Sequence, residues 1–272
     1  MVTGGTGGIG RWAALGLAEA GYQVILVGRD PERLRSASDW IGGRVPNRVP
    51  LSIEADLSLL AQTRRAAAEV LELTPVLDIL LNNAGTLSSR RADTAEGHET
   101  TLAVNHLAPF VLTRALLPAL QRSGHGRVVM TGSSTSDRAR IDPDDLELRR
   151  RWRMTRAYGR SKLASLMTSI ELAGEAAGSG VTINVVHPGL VATGLVRTGG
   201  IVQLAWRAMA PFALTEAQGA EPLLDAALSP GLAGVSGCYL KRCAVVAPNP
   251  LADDPGLRRR VLRATAHLVG QA

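Results

Sequence analysis

The chain has 272 residues, enough for one large α/β domain, and no Pro-, Gly- or Ser-rich linker divides it. Of its 30 basic residues only Lys162 and Lys241 are lysine; the formal charge is +6, but the arginines are scattered in ones and twos among acids, so no nucleic-acid partner is expected. Cys238 and Cys243 lack metal-ligand spacing, so neither a metal site nor a disulfide framework is expected, and a reduced, cytoplasmic setting fits.

Apolar, strand-length runs alternate with amphipathic stretches along the chain. Only Met1 and Val2 precede a glycine loop, where a first strand normally supplies about five residues. The central strand is therefore expected to be cut short, with the natural start upstream. Helices are predicted over residues 9–20, 59–73, 96–121, 157–177, 216–228 and 255–268, and strands over 23–27, 49–53, 77–81, 127–131 and 181–187. Strands alternating with helices mean right-handed crossovers, hence a Rossmann-type, doubly wound parallel sheet in a three-layer αβα single domain spanning residues 1–272. Ligands of such sheets bind at the carboxyl ends of the strands. No uncharged apolar run reaches the ~18 residues of a membrane span, and no signal peptide opens the chain, so a soluble protein without stable membrane insertion is expected. The apolar stretch 201–214 is read as a substrate lid, with buried core and membrane contact as the other readings.

The motifs fall at strand ends. Thr3-Gly4-Gly5-Thr6-Gly7-Gly8-Ile9-Gly10 stands where the first strand turns into a helix. Glycines there permit a tight turn and close approach of a pyrophosphate, which a helix N-terminus favours. The second strand ends Val27-Gly28-Arg29-Asp30. An acidic residue at that end would accept from the ribose 2′-hydroxyl of NAD; here glycine stands in its place, and Arg29 after it can pair with a 2′-phosphate. NADP(H) is therefore expected over NAD(H), against the plainer reading of Arg29 as a surface arginine balanced by Asp30. Asp56, before Leu57, is placed either to accept from an adenine amino group or to cap a helix. Asn82-Asn83-Ala84-Gly85 ends the fourth strand with small residues on which a cofactor could lie; alone it would be a turn.

Tyr158 and Lys162 are one helical turn apart and share a face. In a chain with three tyrosines such a pair is rarely accidental. A nearby ammonium is expected to favour the phenolate, bringing the phenol into range as an acid or base. Ser133, with Ser134 as its competitor, ends the fifth strand, where its hydroxyl can hold a substrate oxygen. Asn105 sits mid-helix, a poor place for asparagine without a reason.

Taken together, TGxxxGIG, the Asp56-Leu57 pair, NNAG, the mid-helix Asn105, Ser133, YxxSK and Pro188-Gly189-x-x-x-Thr193 occur in the order of the short-chain dehydrogenase/reductase family, which the chain resembles over nearly its whole length. The resemblance implies that Asn105 anchors a water in a proton relay, Ser133 positions the carbonyl or hydroxyl, Tyr158 transfers the proton, and Lys162 binds the nicotinamide ribose. It further implies that Thr3, Gly4, Thr6, Gly8, Ile9, Gly10, Arg29, Asp56, Leu57, Asn83, Ala84, Gly85, Pro188, Gly189 and Thr193 line the cofactor site. The long gap from Ser133 to Tyr158 and the Ser236-Gly237-Cys238-Tyr239 ending resemble the retinol dehydrogenase and protochlorophyllide reductase branch. An oxidoreductase of lipophilic or aromatic small molecules follows, as a homodimer or homotetramer packed through helices 96–121 and 157–177, with substrate contacts in the loop at about 194–220. The alternative is a non-catalytic cofactor-binding sensor or scaffold of the same fold.

Overall fold

A computed structural model describes residues 1–191 and 213–271. Its eight-stranded sheet has the order β3-β2-β1-β4-β5-β6-β7-β8. The strands are β1 (Val2–Thr3), β2 (Ile25–Gly28), β3 (Leu51–Glu54), β4 (Ile79–Asn82), β5 (Arg127–Thr131), β6 (Thr182–His187), β7 (Tyr239–Lys241) and β8 (Ala244–Val246). All pair in parallel except β7 with β8. The helices are α1 (Gly8–Glu19), α2 (Pro31–Gly42), α3 (Leu60–Leu73), α4 (Thr100–Ser123), α5 (Met154–Glu175), α6 (Glu216–Leu228) and α7 (Pro255–Leu268).

Alternation along each strand sends side chains to two separate cores. On one face Ile25, Val27, Leu80, Val128 and Met130 pack with residues of α3, α4 and α5. On the other, Leu26, Ile79, Leu81 and Val129 pack with α1, α2 and α6. This is the expected three-layer arrangement. Helix α4 is long and apolar enough to cross a membrane, but 72% of its most apolar window is buried in the first core. Helix α7 lies on α5, fastened by Arg258 Nε to Glu171 Oε1 at 2.6 Å.

Three elements depart from the sequence prediction. Helix α2 was not predicted, although Asp30 caps it by accepting from the N–H of Glu32 and Arg33, Pro31 opens it, and Leu34, Ala37, Ser38 and Ile41 are its buried stripe. Strands β7 and β8 form a hairpin whose two turn residues, Arg242 and Cys243, both have positive φ, at 48° and 59°. Such turns normally announce themselves by Asn or Gly, and this one does not. The helix predicted over 96–121 starts at Thr100, with Glu99 accepting from the Leu102 N–H at 2.7 Å.

At the amino ends of the strands, β1 supplies two residues, and the buried Met1 amine donates to the Ile79 carbonyl at 2.8 Å. A cavity of about 300 Å³ lined by Leu17, Tyr22, Val24, Leu77 and Ile79 lies beside it, at the opposite end of the sheet from the motif residues.

Candidate active site

The crevice forms where β1 lies between β2 and β4, because connections leave the sheet in opposite directions there. Thr3 joins the two loops that line it: its buried hydroxyl accepts from the N–H of Asn83 and of Ala84, both at 3.0 Å. The Asn83 amide returns to the Thr3 carbonyl at 3.2 Å. Gly4 has φ +66°, and a Cβ on it would stand 2.9 Å from Ala84 Cα. A Cβ on Gly10 would collide with the Gly4 carbonyl and the Asn83 amide. The glycine loop and the Asn83-Ala84-Gly85 turn are thus packed backbone to backbone, and α1 starts from the loop at Gly8, beside Thr6 and Ile9.

Past β2, a Cβ on Gly28 would sit 2.9 Å from Thr6 Cγ2. Arg29 is exposed, and Asp30 is committed to the α2 cap instead of balancing it. Arg33, which sequence reasoning passed over, brings Nη2 to 3.1 Å from where a Cβ on Gly7 would be. Neither arginine has a carboxylate partner among the described residues. Asp56 accepts from the Ser58 N–H at 2.9 Å in a local turn beside buried Leu57; it does not cap α3. That cap comes from a distant loop, where Glu96 accepts from the N–H groups of Leu60 at 2.5 Å and Ala61 at 2.9 Å. Pro188 and Gly189 follow β6, with Gly189 at φ +94° beside Leu214. Thr193 lies outside the described residues, as does residue range 194–212 of the expected substrate loop; the described end of that loop is the capping-box start of α6 at Thr215.

The four candidate catalytic side chains converge beside this floor. Asn105 occupies a π-turn, Ala103–Leu107, within α4. Its side chain accepts from the Thr86 N–H at 2.7 Å and donates to the Thr86 carbonyl at 3.0 Å and Ser161 Oγ at 3.1 Å. Its carbonyl, freed by the widened turn, accepts from Ser165 Oγ at 2.8 Å. Next along the turn, buried His106 bonds Thr265 of α7 at 2.8 Å, and burial holds it neutral with a pKa lowered to about 3. Asn105 therefore ties the loop after β4 to the helix that carries Tyr158.

Lys162 is buried and donates to the Thr131 carbonyl at 2.7 Å. Its Nζ stands 5.9 Å from the Tyr158 ring centroid, and burial lowers its pKa to about 8. For Tyr158 burial is the larger influence and raises the phenol pKa, while the hydrogen bond from Ser133 lowers it. This corrects the expectation that the ammonium leads in favouring the phenolate: burial disfavours charge on both groups, and Ser133 is the group that opposes it. Ser134 is exposed at the start of the 3-10 turn Ser134–Arg138, and Ser133, not its competitor, is the hydroxyl that acts on the Tyr158 phenol.

The short chain dehydrogenase family model matches residues 1–200. A protein of Streptomyces sp. (strain C5) carrying the provisional name daunorubicin C-13 ketoreductase is 37% identical over 271 residues, covering 99% of this chain and 92% of its own. Human retinol dehydrogenase 12 is 36% identical over 270 residues, covering 99% and 85%. Among solved structures, a Burkholderia cenocepacia short chain dehydrogenase in complex with NADP superposes with a TM-score of 0.72 at 28% identity, covering 88% of this chain and 94% of that one. The chain belongs to the short-chain dehydrogenase family, as an NAD(P)-dependent oxidoreductase of CH–OH and C=O groups.

Proposed function

We propose that this enzyme uses NADP(H) to interconvert a carbonyl and an alcohol on a lipophilic or aromatic small molecule, with Tyr158 as the acid and base. The observation that carries the reading is the meeting of Ser133, Tyr158, Lys162 and Asn105 beside a floor of glycine and alanine backbone. A Cβ added at Gly85 would lie 3.5 Å from Asn105 Oδ1 and 3.8 Å from Lys162 Nζ, so that floor gives a flat ligand access to both.

When bound, the nicotinamide supplies or receives the hydride at the substrate carbon. In reduction, the Tyr158 O–H delivers the proton to the substrate oxygen while the Ser133 hydroxyl holds that oxygen in place. Lys162, anchored on Thr131, retains N–H groups for the nicotinamide ribose. Asn105 fixes the helix and loop, and through them the distance between Tyr158 and the floor. The raised phenol pKa keeps Tyr158 protonated at neutral pH, which suits reduction. Oxidation needs the phenolate, so its rate rises with pH.

Preference for NADP(H) is supported by Arg29 after β2 and Arg33 beside Gly7, neither paired with a carboxylate among the described residues, and by Thr6 filling the space where an acidic side chain at residue 28 would stand. The names of the relatives support a lipophilic substrate, and retinol and daunorubicin are the first two compounds to try. We place the enzyme in the cytoplasm, not inserted in a membrane and as a homodimer or homotetramer, acting on small molecules and not on nucleic acid. Dispersed ion pairs such as Arg65–Glu69, Arg114–Glu175 and Arg258–Glu171 support the last point.

Replacing the phenol tests the proton-transfer role. Tyr158→Phe should lower turnover of retinol with NADP, or of daunorubicin with NADPH, by a factor of roughly 100 or more, with the cofactor Kd unchanged. Retained turnover would remove Tyr158 from the chemistry.

A further inference from the structure

The widened turn frees the backbone carbonyl of Asn105, and Pro109, four residues on, has no N–H with which to recapture it. Asn105 is buried, and a buried carbonyl is costly to leave bare. From α5, Ser165 Oγ stands 2.8 Å from that carbonyl and 3.0 Å from the Ser161 carbonyl one turn back. The same Oγ lies 3.4 Å from His106 Nδ1, and His106 Nε2 lies 2.8 Å from Thr265 Oγ1 of α7, which also stands 2.8 Å from the Val261 carbonyl. His106, Ser165 and Thr265 are all buried. On its other side Asn105 continues the line to the phenol-bearing residue: its amide donates to Ser161 Oγ at 3.1 Å, and that hydroxyl donates to the Tyr158 carbonyl at 2.8 Å.

The direction of these bonds follows from where protons can go. A carbonyl only accepts, so the line from Thr265 ends at Asn105. The Ser161 and Val261 carbonyls lie inside helices, where the N–H groups of Ser165 and Thr265 already serve them, so the two hydroxyl protons are needed elsewhere. Ser165 therefore gives its proton to Asn105 and takes one from His106 Nδ1. Burial keeps the imidazole neutral, with a single N–H, so Nε2 is bare and accepts from the Thr265 hydroxyl. We propose that Ser165 is a positioning residue for the reaction: it holds the Asn105 carbonyl and is itself oriented by His106 in the Nδ1–H form. Carbonyl and side chain of one residue move together, so fixing the carbonyl sets the reach of the Asn105 amide to Thr86 and Ser161, and with it the placement of Tyr158 against the loop after β4. Serine at this point of α5 reads in sequence as a small core residue, and only its contact with a carbonyl that proline leaves bare marks it.

This assignment rests on Tyr158 being the proton-transfer group, and the experiment separates the two. In the full chain labelled with 15N in its five histidine rings, NMR at neutral pH reads which nitrogen carries each proton, and His106→Asn identifies the resonances of His106. His106 should be protonated on Nδ1, against the Nε2–H form that a free imidazole favours, and Ser165→Ala should reverse this by removing the acceptor. The same substitution should lower turnover of retinol with NADP, or of daunorubicin with NADPH, by roughly tenfold, the worth of one hydrogen bond, with the Kd of NADPH unchanged. Ser165→Cys, of nearly the same shape and a weaker donor, serves as a second variant and should fall between alanine and serine. In an Asn105→Ala background Ser165→Ala should cost nothing further. A His106 proton on Nε2 in the unsubstituted chain overturns the proposal, as does unchanged turnover in Ser165→Ala or an equal loss in the Asn105→Ala background. Turnover by Tyr158→Phe would instead remove the proton-transfer reading and leave the His106 proton where it is.

Discussion

Lys162 is under two opposed demands. The proposed mechanism calls for an ammonium one turn from Tyr158, while burial lowers its pKa to about 8. Below about pH 8 the group is charged in both the folded and the unfolded chain, so the folded state bears the cost of burying the charge. From there up to the unfolded value near 10.5 the folded chain releases its proton first, and stability rises with pH. Lys162→Met should therefore stabilise the cofactor-free protein at pH 7 by about 2 kcal/mol, read by urea denaturation, while abolishing turnover. The gain should shrink between pH 8 and 10.5. A loss of stability at pH 7 would mean that the bond to Thr131 outweighs the burial. Tyr158, Lys162, Ser133 and Asn105 were legible in the sequence because each is a chemically distinctive residue at a telling spacing. Thr86 and Arg33 were not, because their contacts come from what the fold brings near them.

At the scale of elements, the five strands β2 to β6 were legible as apolar runs, and their positions shift by no more than two residues. Helix α2 carried its own signals, the Asp30-Pro31 start and the stripe at Leu34, Ala37, Ser38 and Ile41, and was overlooked between two stronger motifs. The β7–β8 hairpin and the π-turn at Asn105 were not legible: the first places Arg242 and Cys243 in a conformation that favours glycine, and the second is a local widening without a residue signature. Helix α3 shows why caps are hard to assign from sequence. Its N-cap residue, Leu59, has no capping side chain, and the work falls to Glu96, more than thirty residues along the chain. Glu96→Ala should cost about 1 kcal/mol and lower the Tm by a few degrees, visible in a thermal melt. An unchanged Tm would mean that the two bonds contribute nothing net. The same loop carries His98, whose Nδ1 lies 3.1 Å from Glu147 Oε1, so its ordering reaches the segment before Tyr158.

Across the whole molecule, the sheet order puts the glycine loop, the Asn83-Ala84-Gly85 floor, Ser133 and Pro188-Gly189 at one edge of the sheet, at the carboxyl ends of β1, β4, β5 and β6. Helix α5 then lays Tyr158 and Lys162 across them, and α7 braces α5 from outside through Arg258 and α4 through Thr265. The rhythm of strands and helices made this layout predictable, whereas the bracing by α7 depends on contacts between distant parts of the chain. The reading of that edge as an NADP(H) site is open to direct measurement by fluorescence titration of the full chain with NADPH and, in parallel, NADH. Tighter binding of NADPH is expected. Arg29→Ala and Arg33→Ala should each weaken NADPH by about tenfold, the worth of a hydrogen bond to a charged group, and leave NADH nearly unchanged. Equal affinities for the two cofactors, unaffected by either substitution, would contradict it.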